Sequence, residues 1–302
     1  MRFSLWTNLQ QPWTDLLEEV RHAEATGWDG IYVADHFMGD ATSFGPSETP
    51  TFESTATLAA LASATERMRL GTLVLGNTYR HPAVVAKWAS TVDHVSGGRL
   101  VLGIGAGWQQ NEHDQYGIEL PDPGPRVERF EEACWVLRSL LGDVRTTVLG
   151  DHYRLIEAVS EPKPVQPALP LLIGAKGDRM LGVVARHADE WNMWGLPDTI
   201  AERAAVLAQR CEAEGRDPAT IDRSCQALVF LTDDADRAAK VIGRTAPRAT
   251  VAGTVELFAE TVAAWREVGV SEVIVPDFAL GDGAARAERM DEIIERVGAE
   301  FR

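Results

Sequence analysis

Residues Arg69 to Trp108 read RLGTLVLGNTYRHPAVVAKWASTVDHVSGGRLVLGIGAGW, and the spacing of apolar residues changes twice along them. Arg69 to Gly76 is a short apolar run rich in Leu, Val and Thr. Pro82 opens a helical segment with Val84, Val85, Trp88, Ala89 and Val92 on one face, stopped by Gly97-Gly98. Arg99 to Ile104 is a second apolar run, ending in glycines at Gly103, Gly105 and Gly107. A strand, a helix and a strand, with both strands apolar throughout, make a βαβ unit of a parallel sheet covered on its faces. Polar and glycine-rich residues gather just after each strand, where parallel α/β proteins bind ligands.

The same rhythm extends in both directions. Strands are predicted at Arg2–Trp6, Gly30–Ala34, Leu171–Gly174, Glu190–Trp194, Ser224–Leu231 and Val273–Pro276, alternating with amphipathic helices. Eight strands with no composition break between them predict a single (β/α)8 barrel over residues 1–302. The rival, an open doubly wound sheet, calls for a glycine fingerprint at the first turn, and Asn8-Leu9-Gln10 is not one. Three polar stretches interrupt the pattern. The loop from Gly39 to Glu53 has the length of a lid or binding loop. A polar segment follows Gly107, and an irregular insertion covers Asp151–Leu155 and the proline-rich EPKPVQPALP.

The chain has 302 residues, 45% of them apolar and 25% charged, with net charge −16. That charge disfavours nucleic acid and anionic membranes as partners and favours a small-molecule substrate. Three cysteines without CxxC spacing argue against a disulfide framework, and Cys134 falls on the apolar side of a helix. With no spanning apolar run and no leader pattern, the expectation is a soluble, cytoplasmic protein.

Several candidates fall at strand ends. His36, after the second strand, has the chemistry of an acid, a base or a hydrogen-bond donor; it is equally a loop histidine held by Asp35. Glu112-His113-Asp114 looks like a ligand cluster but has no partner at ligand spacing, so no metal is expected. The glycines at 103, 105 and 107 match a dinucleotide fingerprint only loosely. They fit either a flat ring lying against bare backbone or close strand packing. Gly174-Ala175-Lys176-Gly177-Asp178-Arg179 places backbone N–H groups and two cations at a helix start, the ingredients of a phosphate cradle. No nucleophile elbow is present.

Together these runs resemble the luciferase-like superfamily of flavin- and deazaflavin-dependent oxidoreductases. The pieces that carry the resemblance are ADHF at Ala34–Phe37, ATERMRLGTLV at Ala64–Val74 and YRHPAVVAKWASTVDHVSGGRLVLGIGAGW at Tyr79–Trp108. LLIGAKGDRML at Leu171–Leu181 and HADEWN at His187–Asn192 complete the set. The resemblance implies a barrel holding a tricyclic ring at its rim, with a non-prolyl cis peptide at Leu73–Val74 behind the ring. It implies catalytic roles for His36 and Asp35 near the reacting edge. Asn77, Gly107 and Asn111 would line the polar edge, and Gly174, Ala175, Lys176, Gly177 and Arg179 would hold the phosphate, with Arg126 or Arg129 assisting.

Asp35-His36, TYRHP and GAGW look most like the branch that uses coenzyme F420, which implies hydride transfer. The F420-dependent sugar-phosphate dehydrogenases of that branch have a glutamate where this chain has Trp108. The departure points to an apolar cleft walled by Trp6, Trp108 and Trp194. The competing readings are a reduced-FMN monooxygenase with a separate flavin reductase, and a barrel that carries flavin without turnover. The resemblance also suggests a homodimer.

Overall fold

Runs too uniformly apolar to leave one face in water must be covered on both, and here they pair in parallel inside a ring of helices. The computed structural model describes residues 1–42 and 44–302; Ser43, inside the long loop read from Gly39 to Glu53, lies outside the described residues. The strands are β1 (Arg2–Thr7), β2 (Gly30–Val33), β3 (Arg69–Thr72), β4 (Leu75–Gly76), β5 (Leu100–Gly105), β6 (Thr146–Leu149) and β7 (Arg154–Ala158), then β8 (Leu171–Gly174), β9 (Glu190–Trp194), β10 (Asp222–Gln226), β11 (Leu228–Leu231), β12 (Thr250–Gly253) and β13 (Glu272–Pro276). The helices are α1 (Trp13–Thr26), α2 (Ser54–Ala64), α3 (Pro82–Ser96), α4 (Gln110–Tyr116) and α5 (Pro123–Gly142), then α6 (Asp178–His187), α7 (Pro197–Ala213), α8 (Ala235–Thr245), α9 (Val255–Glu267) and α10 (Gly283–Ile293).

The main sheet runs β3-β2-β1-β13-β10-β9-β8-β5, and β3 also pairs with β5. That last pairing closes the sheet on itself. The result is the expected eight-stranded parallel barrel, with β4 continuing β3 after an interruption. Helix ends follow the glycines: α3 stops at Gly97, whose φ of 66° suits a residue without a side chain and whose N–H caps the last turn.

Two apolar cores result. One lies between strands and helices. The other fills the barrel interior with Trp6, Tyr32, Leu73, Val101, Leu172 and Ile274. At the N-terminal end of the strands the interior turns ionic. Arg69 donates to Glu272 at 2.8 Å and also to Glu190, and Arg2 donates to the same Glu272 at 3.1 Å. This network plugs one end of the barrel.

Three segments differ from their sequence reading. The run Ser224–Leu231 is two strands: β10 stays in the barrel, while β11 leaves it to pair with β12 in a separate parallel sheet. Both halves are apolar, so their pattern hides the break, and β12 is too short to read between two helices. The insertion around Asp151–Leu155 is not wholly irregular, because β6 and β7 form an antiparallel hairpin there. The polar segment after Gly107 contains α4, with Glu112 and His113 buried on its inner side.

Replacing Arg69 with Met would leave Glu190 and Glu272 buried without their shared cation, a change that costs about 3–5 kcal/mol. Burial, partly offset by Arg69, already holds the Glu190 carboxyl above its usual range. A carboxyl raised in the folded state binds its proton more tightly there, so its penalty grows as pH rises through the interval between unfolded and folded values. Urea unfolding at pH 7 is expected to show that loss for R69M, with the deficit shrinking toward about pH 5.

Candidate active site

The rim begins with a register change. Gly71 pairs with Val101 and Leu75 pairs with Ile104, so one strand carries an extra residue between the two pairings. Thr72 bridges the break, its hydroxyl donating to Gly103 O at 2.7 Å and accepting from Gly103 N at 3.1 Å. The Leu73–Val74 peptide is cis, as the resemblance implied. Val74 then packs onto glycines: a Cβ at Gly105 would sit 2.8 Å from Val74, and one at Gly174 would sit 3.2 Å from it. At Gly103 a Cβ would lie 1.8 Å from the Thr72 carbonyl oxygen. Of the two readings of these glycines, close packing is the one seen. Gly103 and Gly105 make room for the bulge, while Val74 and the backbone of Gly107 both face the cavity.

Asp35 locks this bulge to the rest of the rim. It is 3% exposed and accepts a bidentate pair from Arg80 at 2.7 and 3.0 Å. Ser54 Oγ and the Gly76 N–H also donate to it, at 2.6 and 2.9 Å. Its oxygens are therefore committed to α2, β4 and the approach to α3. The reading of His36 as a loop histidine held by Asp35 is corrected: no hydrogen bond joins the two, and another carboxylate holds the ring.

That carboxylate is Glu112. His36 Nδ1 meets its Oε1 at 2.8 Å, the Phe37 N–H donates to Oε2 at 2.8 Å, and Tyr79 O–H donates to Oε1. Glu112 is fully buried on α4, with three donors converging on it. Burial, followed by the bond to Glu112, pushes the Tyr79 hydroxyl well above its ordinary range, which keeps it a donor. An acceptor at Nδ1 places the proton there and leaves Nε2 as the ring's working nitrogen. The ring stands edge-on to Trp108 at 5.3 Å and lies over Phe44 at 6.2 Å.

A cavity of about 730 Å³ opens beside His36. Its wall contains Asp35, His36, Leu73, Val74, Gly107, Gly174, Ala175 and Lys176, together with all three expected tryptophans, Trp6, Trp108 and Trp194. Trp6 is packed edge-on against Trp194 and Phe278, both at 5.6 Å, so it serves the core and the cavity at once. Trp108 is 56% exposed at the mouth. Asn77, Asn111, Gly177 and Arg179 are not in this wall.

Asn77 donates to Tyr153 at 3.2 Å, which in turn accepts from Arg129 at 3.1 Å, and the Asn77 carbonyl oxygen is buried without a partner. Asn111 turns its amide to Gly39 O at 2.8 Å. Arg179 pairs with Glu128 at 2.7 Å, so Lys176 is the cation of that turn that faces the cavity. The turn itself has the predicted form. Gly177 begins α6 with no side chain capping the N-terminal N–H groups, and a Cβ on it would meet nothing within 4 Å.

Residues 1–301 match the luciferase-like monooxygenase family. This chain is a member of that family. Among similar proteins, "Uncharacterized protein Rv0953c" of Mycobacterium tuberculosis (strain ATCC 25618 / H37Rv) is 28% identical over 89% of this chain and 90% of its own length. An F420-dependent glucose-6-phosphate dehydrogenase of Amycolatopsis mediterranei is 35% identical over 58% of this chain and 50% of that enzyme. The pyrimidine monooxygenase RutA of Klebsiella pneumoniae (strain 342) is 31% identical over 62% and 52%. In solved structures the fold recurs in an F420-dependent secondary alcohol dehydrogenase bound to an F420-acetone adduct, with TM-score 0.86, 20% identity and coverage of 100% and 99%.

This luciferase-like protein is thus an enzyme of an oxidoreductase and monooxygenase family. Its rim also uses residues that sequence reasoning passed over. In the sequence Glu112 has the look of a metal ligand only, because its partner His36 lies 76 positions away. Tyr79, Phe44, Gln226 and Arg248 enter the cavity wall from four different loops and strand ends. The one available signal was the stop at Gly117, which ends α4 with φ 66° and marks the preceding residues as a helix with an inner face.

In Glu112→Gln, one of the three donors would meet an amide N–H instead of an oxygen. The loss should cost about 1–3 kcal/mol of stability. It should also release the imidazole: long-range 1H–15N spectra are expected to show a proton fixed on Nδ1 of His36 in the wild type and an altered proton distribution between the ring nitrogens in E112Q. An unchanged tautomer would remove Glu112 from the positioning of His36.

Proposed function

We propose that this family member is an F420-dependent oxidoreductase that moves hydride between the deazaflavin and a small organic substrate. The observation that carries the reading is the pairing of a Glu112-oriented His36 with a cavity backed by Leu73 and Val74. The residues present suit such a cofactor. Lys176 and the uncapped start of α6 offer an oxyanion site, and the Asn77 and Gln226 carbonyl oxygens are buried without partners. Gly174, Ala175, Lys176 and Gly177 would hold the phosphate, and Leu73, Val74 and Gly107 would bound the ring, with Asn77 behind them through its bond to Tyr153. Asn111 and Arg179 belong to the proposal only as second supports, given their bonds to Gly39 and Glu128.

When bound, the deazaflavin supplies or accepts the hydride, which no side chain here can do. His36 Nε2 takes the proton from a substrate hydroxyl as hydride leaves its carbon, or returns it to a carbonyl oxygen in the reverse direction. Glu112 holds the ring in the tautomer that makes this possible. Asp35 acts one step further out, by fixing Gly76 and Arg80. Trp6, Trp108 and Trp194 wall the apolar side and limit water. Similarity to RutA favours a second reading, a reduced-FMN monooxygenase served by a separate reductase.

Fluorescence titration separates the two. F420 is expected to bind in the micromolar range and FMN far more weakly; the reverse order would establish the second reading. Lys176→Glu should weaken F420 by about tenfold or more if the phosphate rests there. His36→Ala should leave F420 affinity unchanged and lower kcat by about 10²–10⁴-fold.

A homodimer completes the proposal. Trp135 on α5 and Leu149 and Ile156 on the β6–β7 hairpin are each more than 60% exposed, an apolar surface suited to a second copy. Sedimentation equilibrium is expected to give twice the chain mass for the wild type and a monomer for a Trp135→Glu, Ile156→Glu double variant.

A further inference from the structure

Besides Lys176, the cavity wall contains a second cation that has no ionic partner among the described residues. Arg248 lies in the connection between α8 and β12, where its N–H donates to Thr245 O at 2.9 Å and its carbonyl accepts from Thr250 at 3.0 Å. Those bonds fix its backbone. Its guanidinium sits 5.1 Å from the centre of the Phe44 ring and 5.5 Å from that of Trp194, between two aromatic groups of the same wall. Among the described residues no carboxylate pairs with it, in a protein of net charge −16 where Arg80 and Arg179 are both paired. Among the described residues the only carboxylate in the wall, Asp35, is already committed to Arg80.

We infer that Arg248 is the anchor for a substrate carboxylate. The inference rests on the proposal that this cavity is the reactive one, and it names the substrate class. Aromatic neighbours strip water from a guanidinium and hold it flat while leaving its N–H edge free, the geometry that matches a planar carboxylate with two parallel bonds. One guanidinium balances one negative charge, which suits a monocarboxylate better than a phosphate dianion. Phe44 lies beside both Arg248 and His36, so one aromatic ring links the anionic end to the reacting end. The same wall contributes the apolar side chains of Trp6, Leu196 and Ile242, beside the neutral polar groups of Thr199, Gln226 and Thr250. The substrate is therefore an apolar monocarboxylate carrying a hydroxyl or carbonyl group remote from its acid end.

The test is calorimetric titration of the full chain with phenylacetate and hexanoate against their amides, and with inorganic phosphate, before and after addition of F420. Wild-type protein should bind the carboxylates about tenfold or more tightly than the amides and than phosphate. R248Q should lose that preference, R248K should fall between, and R244Q, altered at an exposed arginine outside the wall, should keep it. F420 affinity should be the same in all four proteins. The inference is overturned if no carboxylate binds, if amides or phosphate bind as well, if the preference survives in R248Q, or if R248Q loses F420 instead. Failure of F420 to bind the wild type, with the carboxylate preference intact, would count against the cofactor proposal and leave the anchor standing.

Discussion

Val74 can occupy its place only because β5 and β8 present glycines to it. An isopropyl group seated on Gly105 and Gly174, with Gly103 pressed against the Thr72 carbonyl, leaves no room for a Cβ at Gly103 or Gly105 and only a tight fit for one at Gly174. The extra residue that this seat accommodates shifts the register between Gly71 and Leu75, and the rim beyond it is re-aimed accordingly. Asn77, Tyr79 and Arg80 all follow the bulge, and each takes part in a different network: Asn77 with Tyr153, Tyr79 with Glu112, Arg80 with Asp35. One packing constraint thus sets the positions of three functional groups.

The two carboxylates nearest His36 divide the work by their surroundings. Asp35 is consumed by structure, since an arginine fork, a serine hydroxyl and a backbone N–H account for its oxygens. Glu112 keeps an oxygen for the imidazole while two further donors hold it still. A buried carboxylate with several donors is fixed in orientation, and it passes that orientation to the ring it accepts from. His36 is then free to present Nε2 to the cavity between Trp108 and Phe44.

Charge is distributed against the overall balance. The chain is strongly acidic, yet the cations facing the cavity, Lys176 and Arg248, have no carboxylate partners among the described residues. At the other end of the barrel the ionic residues are paired in a closed network around Arg69. Paired charges close one end of the cylinder and unpaired cations with aromatic walls leave the other receptive to anions.

Periodicity alone was enough to read the eight barrel strands, most helices and the end of the barrel that binds, because apolar spacing and glycine stops are local properties of the chain. The strand-to-helix turn at Gly174–Arg179 and the rim position of His36 were legible for the same reason. Glycine spacing could not say whether bare backbone or a neighbour's side chain filled the gap; only the register against Thr72 and Val74 decided that. The partner of His36 was equally hidden, since Glu112 lies on a short helix inside a polar segment and meets His36 through closure of the barrel. Residues far apart in the chain acquire their roles from which loops the closed sheet brings to one mouth, and that is a property of the folded cylinder, not of any stretch of sequence.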